Sequence, residues 1–583
     1  MTARVDHFGR VASDCVNSGN FFSDLEKIFF PRCLLKTRAR AFVKLALMDE
    51  AVSLDAPIRE RMLARLRRRA RSAAPARAEV ALAILSAALL VFSFPDFNLW
   101  PLAWVGLVPL FLAVARRPGR LRAFLLGWMA GTLFFYGSCY WLTYSMIRYG
   151  GIPVWMSYLL LVPGPIIGGL FPALCCLGLA RAVARWGGRA LFVAPLMWVA
   201  LEWARLGLIG QLWNAIGYSQ AYITPLIQSA RWGGVYLVGF LIVLVNTAVA
   251  HMLYERTARA LKTGSAVIVF AALVILAAWF TSTPSTIAGE PAAVVVAVQP
   301  NVPMDPQESL AETAALVERH YQLSESALAQ VADKFPNVPR VVIWPESPMY
   351  FQYARDSEFR YLIADFATKN HTSVIFNSQE PAPAGGTYNS AVMVNEEGRL
   401  VAQYDKIRLM PFGEYVPLPR WLPGVSYIPT MVGDFTPGAQ YTLMPLGRAR
   451  TGVFICFESA FPYISRSLAD GGADVLVNIS NDGYLGPTPV QRQHLANTVF
   501  RAVENNRPVV RVTNTGITAF VTERGDVLDA TEGFRPDART WIVSRGTGAK
   551  TFYTRFGDLF VGLCAALSLI AVALSWRKGK HIK

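Results

Sequence analysis

Hydrophobic positions along the chain fall into two regimes. Long apolar runs follow one another at 78–94, 99–115, 123–147, 153–180, 190–206, 232–254 and 264–281, and another closes the chain at 557–576. A membrane crossing takes about 20 apolar residues, so the pattern predicts a multi-pass helical bundle of about eight spans, the first two of them short. Between residues 282 and 556 the rhythm changes. Short β-branched runs predict buried strands at 293–299, 340–344, 373–377, 391–395, 452–456 and 475–479. Helical periodicity falls at about 307–334, 357–369 and 488–506. Strands alternating with helices in this way predict an α/β domain outside the membrane.

Composition agrees with a membrane protein: 53% of the 583 residues are hydrophobic and only 16% charged. The formal net charge of +16 raises nucleic acid as a partner. Its location excludes that reading. Residues 282–556 hold 23 basic and 27 acidic residues, so the excess sits in the amino-terminal extension and around the apolar runs.

That excess reports topology instead. With the amino terminus inside, the inner connections carry Arg116, Arg117, Arg120, Arg122, Arg181, Arg185, Arg189, Arg256, Arg259 and Lys262, and the tail adds Arg577, Lys578, Lys580 and Lys583. The outer connections offer only Arg148, Arg205 and Arg231. Cytoplasmic loops are enriched in Lys and Arg, so both termini are expected in the cytoplasm. The chain divides into a basic extension (1–77), a seven-span bundle (78–281), an outward α/β domain (282–556), and a last span with a basic tail (557–583). The extension has no signal-peptide pattern. With Met48 and Met62 ahead of the first span, it reads as a misplaced translation start.

Three polar residues in the α/β domain stand at or just beyond strand ends. Glu346 follows Val341-Val342-Ile343-Trp344-Pro345, where a poorly solvated carboxylate suits a general base; the plainer reading is a loop cap. Lys406 lies in Tyr404-Asp405-Lys406-Ile407-Arg408, ahead of Glu414. It is either an oxyanion-stabilising cation that Glu414 holds, or part of a solvated strand face. Cys456 closes the run Gly452-Val453-Phe454-Ile455. Of Cys15, Cys33, Cys139, Cys175, Cys176, Cys456 and Cys564, it alone lies in the α/β domain, so no internal disulfide or zinc-type spacing is available there. A thiol at a strand end beside a helix start has a setting that favours thiolate, although a lone cysteine is often just an inert buried thiol. A Cys–His pair is the usual alternative, but no local signature links His320, His371 or His494 to Cys456.

Glu346, Lys406 and Cys456, in this order and each after a strand, resemble the triad of the nitrilase superfamily. The segments WPES, YDKIRLMPFGEYVP, ICFE and NISNDGYLG, together with the span layout, resemble the apolipoprotein N-acyltransferases of the bacterial inner membrane. The resemblance covers about residues 78–576. It implies an αββα sandwich on the periplasmic side, with Cys456 as nucleophile, Glu346 as base, Lys406 at the oxyanion, and Glu414 and Glu458 in support. It also implies a ping-pong reaction through a Cys456 thioester. A membrane phospholipid is the acyl donor and the diacylglyceryl-cysteine of an apolipoprotein the acceptor. The enzyme is expected to act as a monomer without metal or soluble cofactor.

The chain departs from the family pattern at Phe457 (usually Tyr), at Tyr484 (usually Trp), and after Gln299-Pro300-Asn301, where no Trp follows. The stretch 411–440, with Tyr415, Trp421, Leu422, Tyr427 and Met431, reads as a mobile apolar lid or as a packed surface loop. Glu202 and Arg205 share a helical face and either line a lipid entry or lock helices together. Other readings of the whole are a membrane-tethered amidase using water and a non-catalytic lipid-binding scaffold. The first has no need of eight spans, and the second predicts a broken triad.

Overall fold

The computed structural model describes residues 74–576 except 96, 283–289, 306–308, 418–420, 422–432 and 547, and of Leu310 it describes the backbone alone. The extension with Met48 and Met62, the basic tail, and Leu422, Tyr427 and Met431 lie outside the described residues. The described residues from Pro75 to Trp576 belong to one compact unit.

Every apolar run is helical. In chain order these helices are α1 (Arg77–Ser93), α2 (Val108–Arg116), α3 (Arg120–Ser138), α4 (Leu142–Arg148), α5 (Val154–Leu161), α6 (Pro163–Trp186), α7 (Ala194–Ile209), α8 (Ala230–Glu255) and α9 (Ala258–Thr281). A last one spans Leu559–Trp576. Among the described residues, four stretches have the length and apolarity of a crossing: Val154–Ile209, Ala230–Glu255, Ala258–Thr281 and Leu559–Trp576. Counting α3 and α4, which meet at 52°, makes five. The expected eight is not reached by this measure, for two reasons. α1 has 17 residues and Trp100–Arg116 is similarly short. Val154–Ile209 counts once, although its 56 residues are more than twice the ~20 that a crossing needs.

Small residues let the bundle helices close on one another. At Gly131 a Cβ would sit 2.9 Å from the Gly169 Cα, so α3 and α6 touch backbone to backbone. α8 breaks at Gly233 and Gly234, the latter at φ +65°, where a Cβ would press into the Tyr553 ring at 2.7 Å. The break releases the Val235 N–H from its helix, and Glu504 of the α/β domain accepts it at 2.8 Å.

The α/β domain is built from two six-stranded sheets. The first has the order β12-β1-β2-β3-β4-β5: Asp537–Ser544, Pro291–Gln299, Arg340–Ile343, Ser373–Pro381, Thr387–Val394 and Leu400–Asp405. The second has the order β11-β10-β9-β8-β7-β6: Val527–Leu528, Ala519–Val521, Val509–Thr513, Val475–Ser480, Ala449–Ile455 and Leu443–Leu446. Side chains alternate across each strand. In β1, Ala293, Val295 and Ala297 join Val453, Ile455, Val477 and Ile479 between the sheets. Val296 and Val298 face α10 (Leu310–Ala332) and α11 (Ser357–Lys369). The other outer face carries α12 (Pro462–Asp470) and α13 (Val490–Asn505), which completes an αββα sandwich.

α13 is buried at all but two of its 16 positions, because its far side lies against the bundle. Leu495, Val499, Phe500 and Val503 share one apolar core with Tyr218, Ile227 and Val235. The nitrilase-type sandwich is thus joined to the helices through a continuous hydrophobic contact, not merely tethered by a linker.

Candidate active site

Strand ends from both sheets meet at one place. Glu346 comes three residues after β2, Lys406 directly follows β5, Cys456 directly follows β7, and Asn481 and Asp482 follow β8. The Asn481 N–H donates to Glu346 Oε2 at 3.2 Å, across the seam between the sheets.

Lys406 is not on a solvated strand face. Its side chain is 1% exposed, and Nζ donates to Glu346 Oε1 at 3.2 Å and to Glu414 Oε1 at 2.9 Å. Asn389 Nδ2 bridges the same two oxygens at 2.9 and 2.7 Å, and Asn377 holds the Asn389 carbonyl oxygen at 2.7 Å. Burial alone would lower the Lys406 pKa, but the two carboxylates outweigh it and the ammonium is held charged well above its usual range. Glu414 also accepts the Met410 N–H at 2.8 Å, so the loop that carries it is closed on itself. Glu346 keeps a side-chain exposure of 14%, which leaves it the accessible carboxylate of the pair.

β7 stops at Ile455, one residue short of the predicted strand, and Cys456 opens a tight turn with φ +51°. Glu458 builds that turn. It accepts the Ile455 N–H on Oε2, the Ile407 and Arg408 N–H groups on Oε1, and the Tyr404 hydroxyl on both. One buried carboxylate therefore ties the Cys456 turn to the backbone just beyond Lys406. Burial pushes its pKa up to about 7 against those hydrogen bonds.

The surroundings of the thiol differ from the expected electropositive setting. Desolvation drives the Cys456 pKa far above that of an ordinary cysteine, and the Glu346 charge adds to the rise. Lys406 and a hydrogen bond from Ser480 offset only part of it. A setting that looks electropositive from the strand–turn pattern is dominated by burial and a neighbouring anion. Burial and the Glu346 charge thus both favour the neutral thiol over the thiolate.

His494 has no partner legible in the sequence, yet it touches the Cys456 backbone. Nε2 lies 3.0 Å from the Cys456 carbonyl oxygen and Nδ1 2.8 Å from Asp482 Oδ1. Both ring nitrogens are thus engaged by oxygens, and neither is left for the thiol. This disposes of a Cys456–His494 pair. Arg511 Nη2 donates to Asp482 Oδ2 at 2.8 Å; burial would raise the Asp482 pKa, but His494 and Arg511 hold it down at about 2. Asn389 and Asn377 were equally unpredicted, because an asparagine in a strand carries no signal of where it points. Among the described residues no cluster of His, Cys, Asp and Glu could hold a metal ion.

Aromatic side chains surround the site. Phe457 stacks on Trp213 of the bundle at 6.0 Å, and the Tyr484 hydroxyl meets that of Tyr350 at 2.8 Å. Ser145 of α4 donates to the Tyr484 carbonyl at 2.7 Å, and Arg148 pairs with Asp305 at 3.0 Å. Tyr415 bridges back to Pro411, and Trp421 is 79% exposed. Glu202 and Arg205 border a small cavity of about 30 Å³ among the bundle helices. Glu202 accepts the Trp198 Nε1–H within α7 and the Ile216 N–H of the following loop, and Arg205 donates to the Trp213 carbonyl of that loop.

Comparisons with known proteins match this architecture piece by piece. Residues 292–537 match the carbon-nitrogen hydrolase family, and residues 86–248 match the apolipoprotein N-acyltransferase N-terminal domain. Fold and site together define a carbon-nitrogen hydrolase domain carried on a membrane bundle. An apolipoprotein N-acyltransferase of Geobacter metallireducens is 35% identical over 86% of this chain and 96% of its own. One from Rhizobium meliloti is 31% identical over 83% and 94%. The chain belongs to the apolipoprotein N-acyltransferase family. A solved amidase from Nesterenkonia sp. aligns with 47% of this chain and 96% of its own, at 16% identity and a TM-score of 0.34.

Proposed function

We propose that the protein transfers an acyl chain from a membrane phospholipid to the α-amine of a diacylglyceryl-cysteine at an apolipoprotein amino terminus, through a thioester on Cys456. The observation that carries the reading is that Glu346, Lys406 and Cys456 come together from three strand ends, with Lys406 locked between Glu346 and Glu414 at 3.2 and 2.9 Å. Glu346 takes the thiol proton as sulfur attacks the ester carbonyl. The tetrahedral oxyanion is stabilised by the Lys406 ammonium. The ester C–O bond breaks, the lysophospholipid oxygen takes the proton back from Glu346, and the acyl group stays on sulfur.

In the second half the amine attacks the thioester carbonyl and gives its proton to Glu346. The amide forms, the C–S bond breaks, and the proton returns to the thiolate. Glu414 and Glu458 hold Lys406 and the Cys456 turn without touching the reacting atoms. No metal or soluble cofactor takes part. The enzyme acts as a monomer in the bacterial inner membrane, with eight crossings, cytoplasmic termini and the 282–556 domain in the periplasm.

Intact-protein mass spectrometry after incubation with phospholipid tests this. An acyl adduct is expected that hydroxylamine removes and that Cys456→Ala does not form. An active preparation that never shows an adduct overturns the covalent route.

A further inference from the structure

Two consecutive residues of α13, Gln493 and His494, do work that the triad leaves unexplained. A residue with φ near +50° is strained unless it is glycine, and Cys456 sits there. Such a conformation persists only where its surroundings impose it. The Cys456 N-terminal side is fixed by Glu458 through the Ile455 N–H. Its C-terminal side is fixed by the His494 ring, which donates to the Cys456 carbonyl. The peptide that links Cys456 to Phe457 is planar, so fixing its carbonyl also fixes the direction of the Phe457 N–H on its opposite edge. His494 in turn cannot swing, because Asp482 accepts from its other nitrogen and Arg511 holds Asp482, all of them nearly inaccessible to solvent.

Gln493 faces the other way, into the bundle. Its Oε1 accepts from Trp141 Nε1 at 3.1 Å, from Trp213 Nε1 at 2.9 Å and from Asn214 Nδ2 at 3.5 Å. Its Nε2 donates to the carbonyls of Pro95 and Ser138 at 3.0 and 3.1 Å. One amide is thus saturated by the connections after α1, α3 and α7. Trp213 packs on both His494 and Phe457, at 5.6 and 6.0 Å. The same ring therefore touches the brace and the residue after the nucleophile.

We propose that His494 is a positioning residue that holds the Cys456 peptide in its reactive orientation, and that Gln493 registers this brace against the membrane helices. The inference rests on Cys456 being the acyl carrier. It makes the bundle part of the active site's geometry: a shift of the loops at Pro95, Ser138 or Trp213 reaches the nucleophile through one helical turn. Misplacing a reacting group by about 1 Å costs on the order of 100-fold in rate.

The test uses the full-length enzyme in detergent micelles with mixed phosphatidylethanolamine and phosphatidylglycerol, following the Cys456 adduct by rapid quench and intact mass. His494→Ala is expected to slow adduct formation on the order of 100-fold. His494→Gln is expected to recover at least about tenfold of that, since its amide can donate to the Cys456 carbonyl. Both variants deprive Asp482 of the same donor, so their difference isolates the carbonyl bond. Equal losses in the two, or a normal rate in His494→Ala, overturn the brace.

Gln493→Glu keeps the acceptor for both indoles and loses the donor to Pro95 and Ser138. Its loss is expected in the plateau rate at saturating lipid. A loss confined to the half-saturating lipid concentration assigns Gln493 to lipid entry and overturns the coupling. No adduct on the parent enzyme overturns the acyl-carrier reading and this one with it. An adduct on the parent leaves the variants' rates as the sole judge of the brace.

Discussion

Replacing Glu346 by glutamine is expected to move two measurements of Cys456 in opposite directions. The amide is nearly isosteric, and its oxygen still accepts from Lys406 and Asn389 as Glu346 Oε1 does. Its nitrogen falls opposite the Asn481 N–H, which loses its acceptor at a cost of about 1–3 kcal/mol, and partial solvent access places that toward the lower end. The fold survives. For the thiol, burial is the larger cause of its raised pKa and Glu346 the next, so removing the anion lowers the pKa. A like charge within about 4–6 Å is worth roughly 1–3 pKa units. Below its pKa the thiolate fraction rises tenfold per unit, while nucleophilicity falls with a Brønsted slope of about 0.4–0.5. Alkylation by iodoacetamide at fixed neutral pH should therefore accelerate about 3- to 60-fold. Acylation by phospholipid should fall by about 10²–10⁴, the usual worth of a general base. Both are read by mass spectrometry on one preparation. Alkylation that is unchanged or slower removes the electrostatic argument, and acylation at the parent rate removes Glu346 as the base.

Three further outcomes follow from the same contacts. Lys406→Met leaves Glu346 and Glu414 sharing one Asn389 amide; it should lose about 10²–10³ in adduct formation and about 3–5 kcal/mol of stability from the broken buried pair, measured by single-turnover mass spectrometry and thermal unfolding in detergent. Glu458→Gln turns an amide nitrogen toward backbone donors at Ile455 or at Ile407 and Arg408, so at least one buried N–H is orphaned. A loss of about 1–3 kcal/mol is expected, and a melting temperature equal to the parent's would refute it. Gly234→Ala forces a Cβ into the Tyr553 ring and an L-residue into the left-handed region. The backbone term alone is about 1–2 kcal/mol, and an unchanged melting temperature shows that α8 does not need its break.

Much of the architecture was legible because it rests on local composition. Apolar runs of span length, β-branched strands and the α11 boundaries at Ser357–Lys369 each follow from short-range rules, and the structure places helices and strands there. β5, β6, β9, β10, β11 and β12 were not foreseen. β12 illustrates the reason: Asp537, Arg539 and Thr540 give it little apolar pattern, and it is a strand because it pairs antiparallel with β1 along its length. β9 carries a fully buried Arg511, which reads as a surface residue until Asp482 appears beside it.

Glu346, Lys406 and Cys456 stood out because strand ends are where a sheet exposes polar side chains. Their order and flanking motifs gave a family, since motif and order are linear properties. Burial is not linear. The raised thiol pKa and the Lys406–Glu346 contact arise from segments 50 to 110 residues apart closing on one another, and Glu414 completes the burial of Lys406 from its own loop. His494 had no local mark at all; it acquires a role because α13 is wedged between the second sheet and the bundle. The sequence alone determined which polar residues stand at strand ends and that they belong to a membrane protein, because residue type and hydrophobic length are written locally. Only the tertiary structure decided how deeply Cys456 is buried and what holds its backbone, because desolvation and hydrogen bonding depend on which distant segments meet.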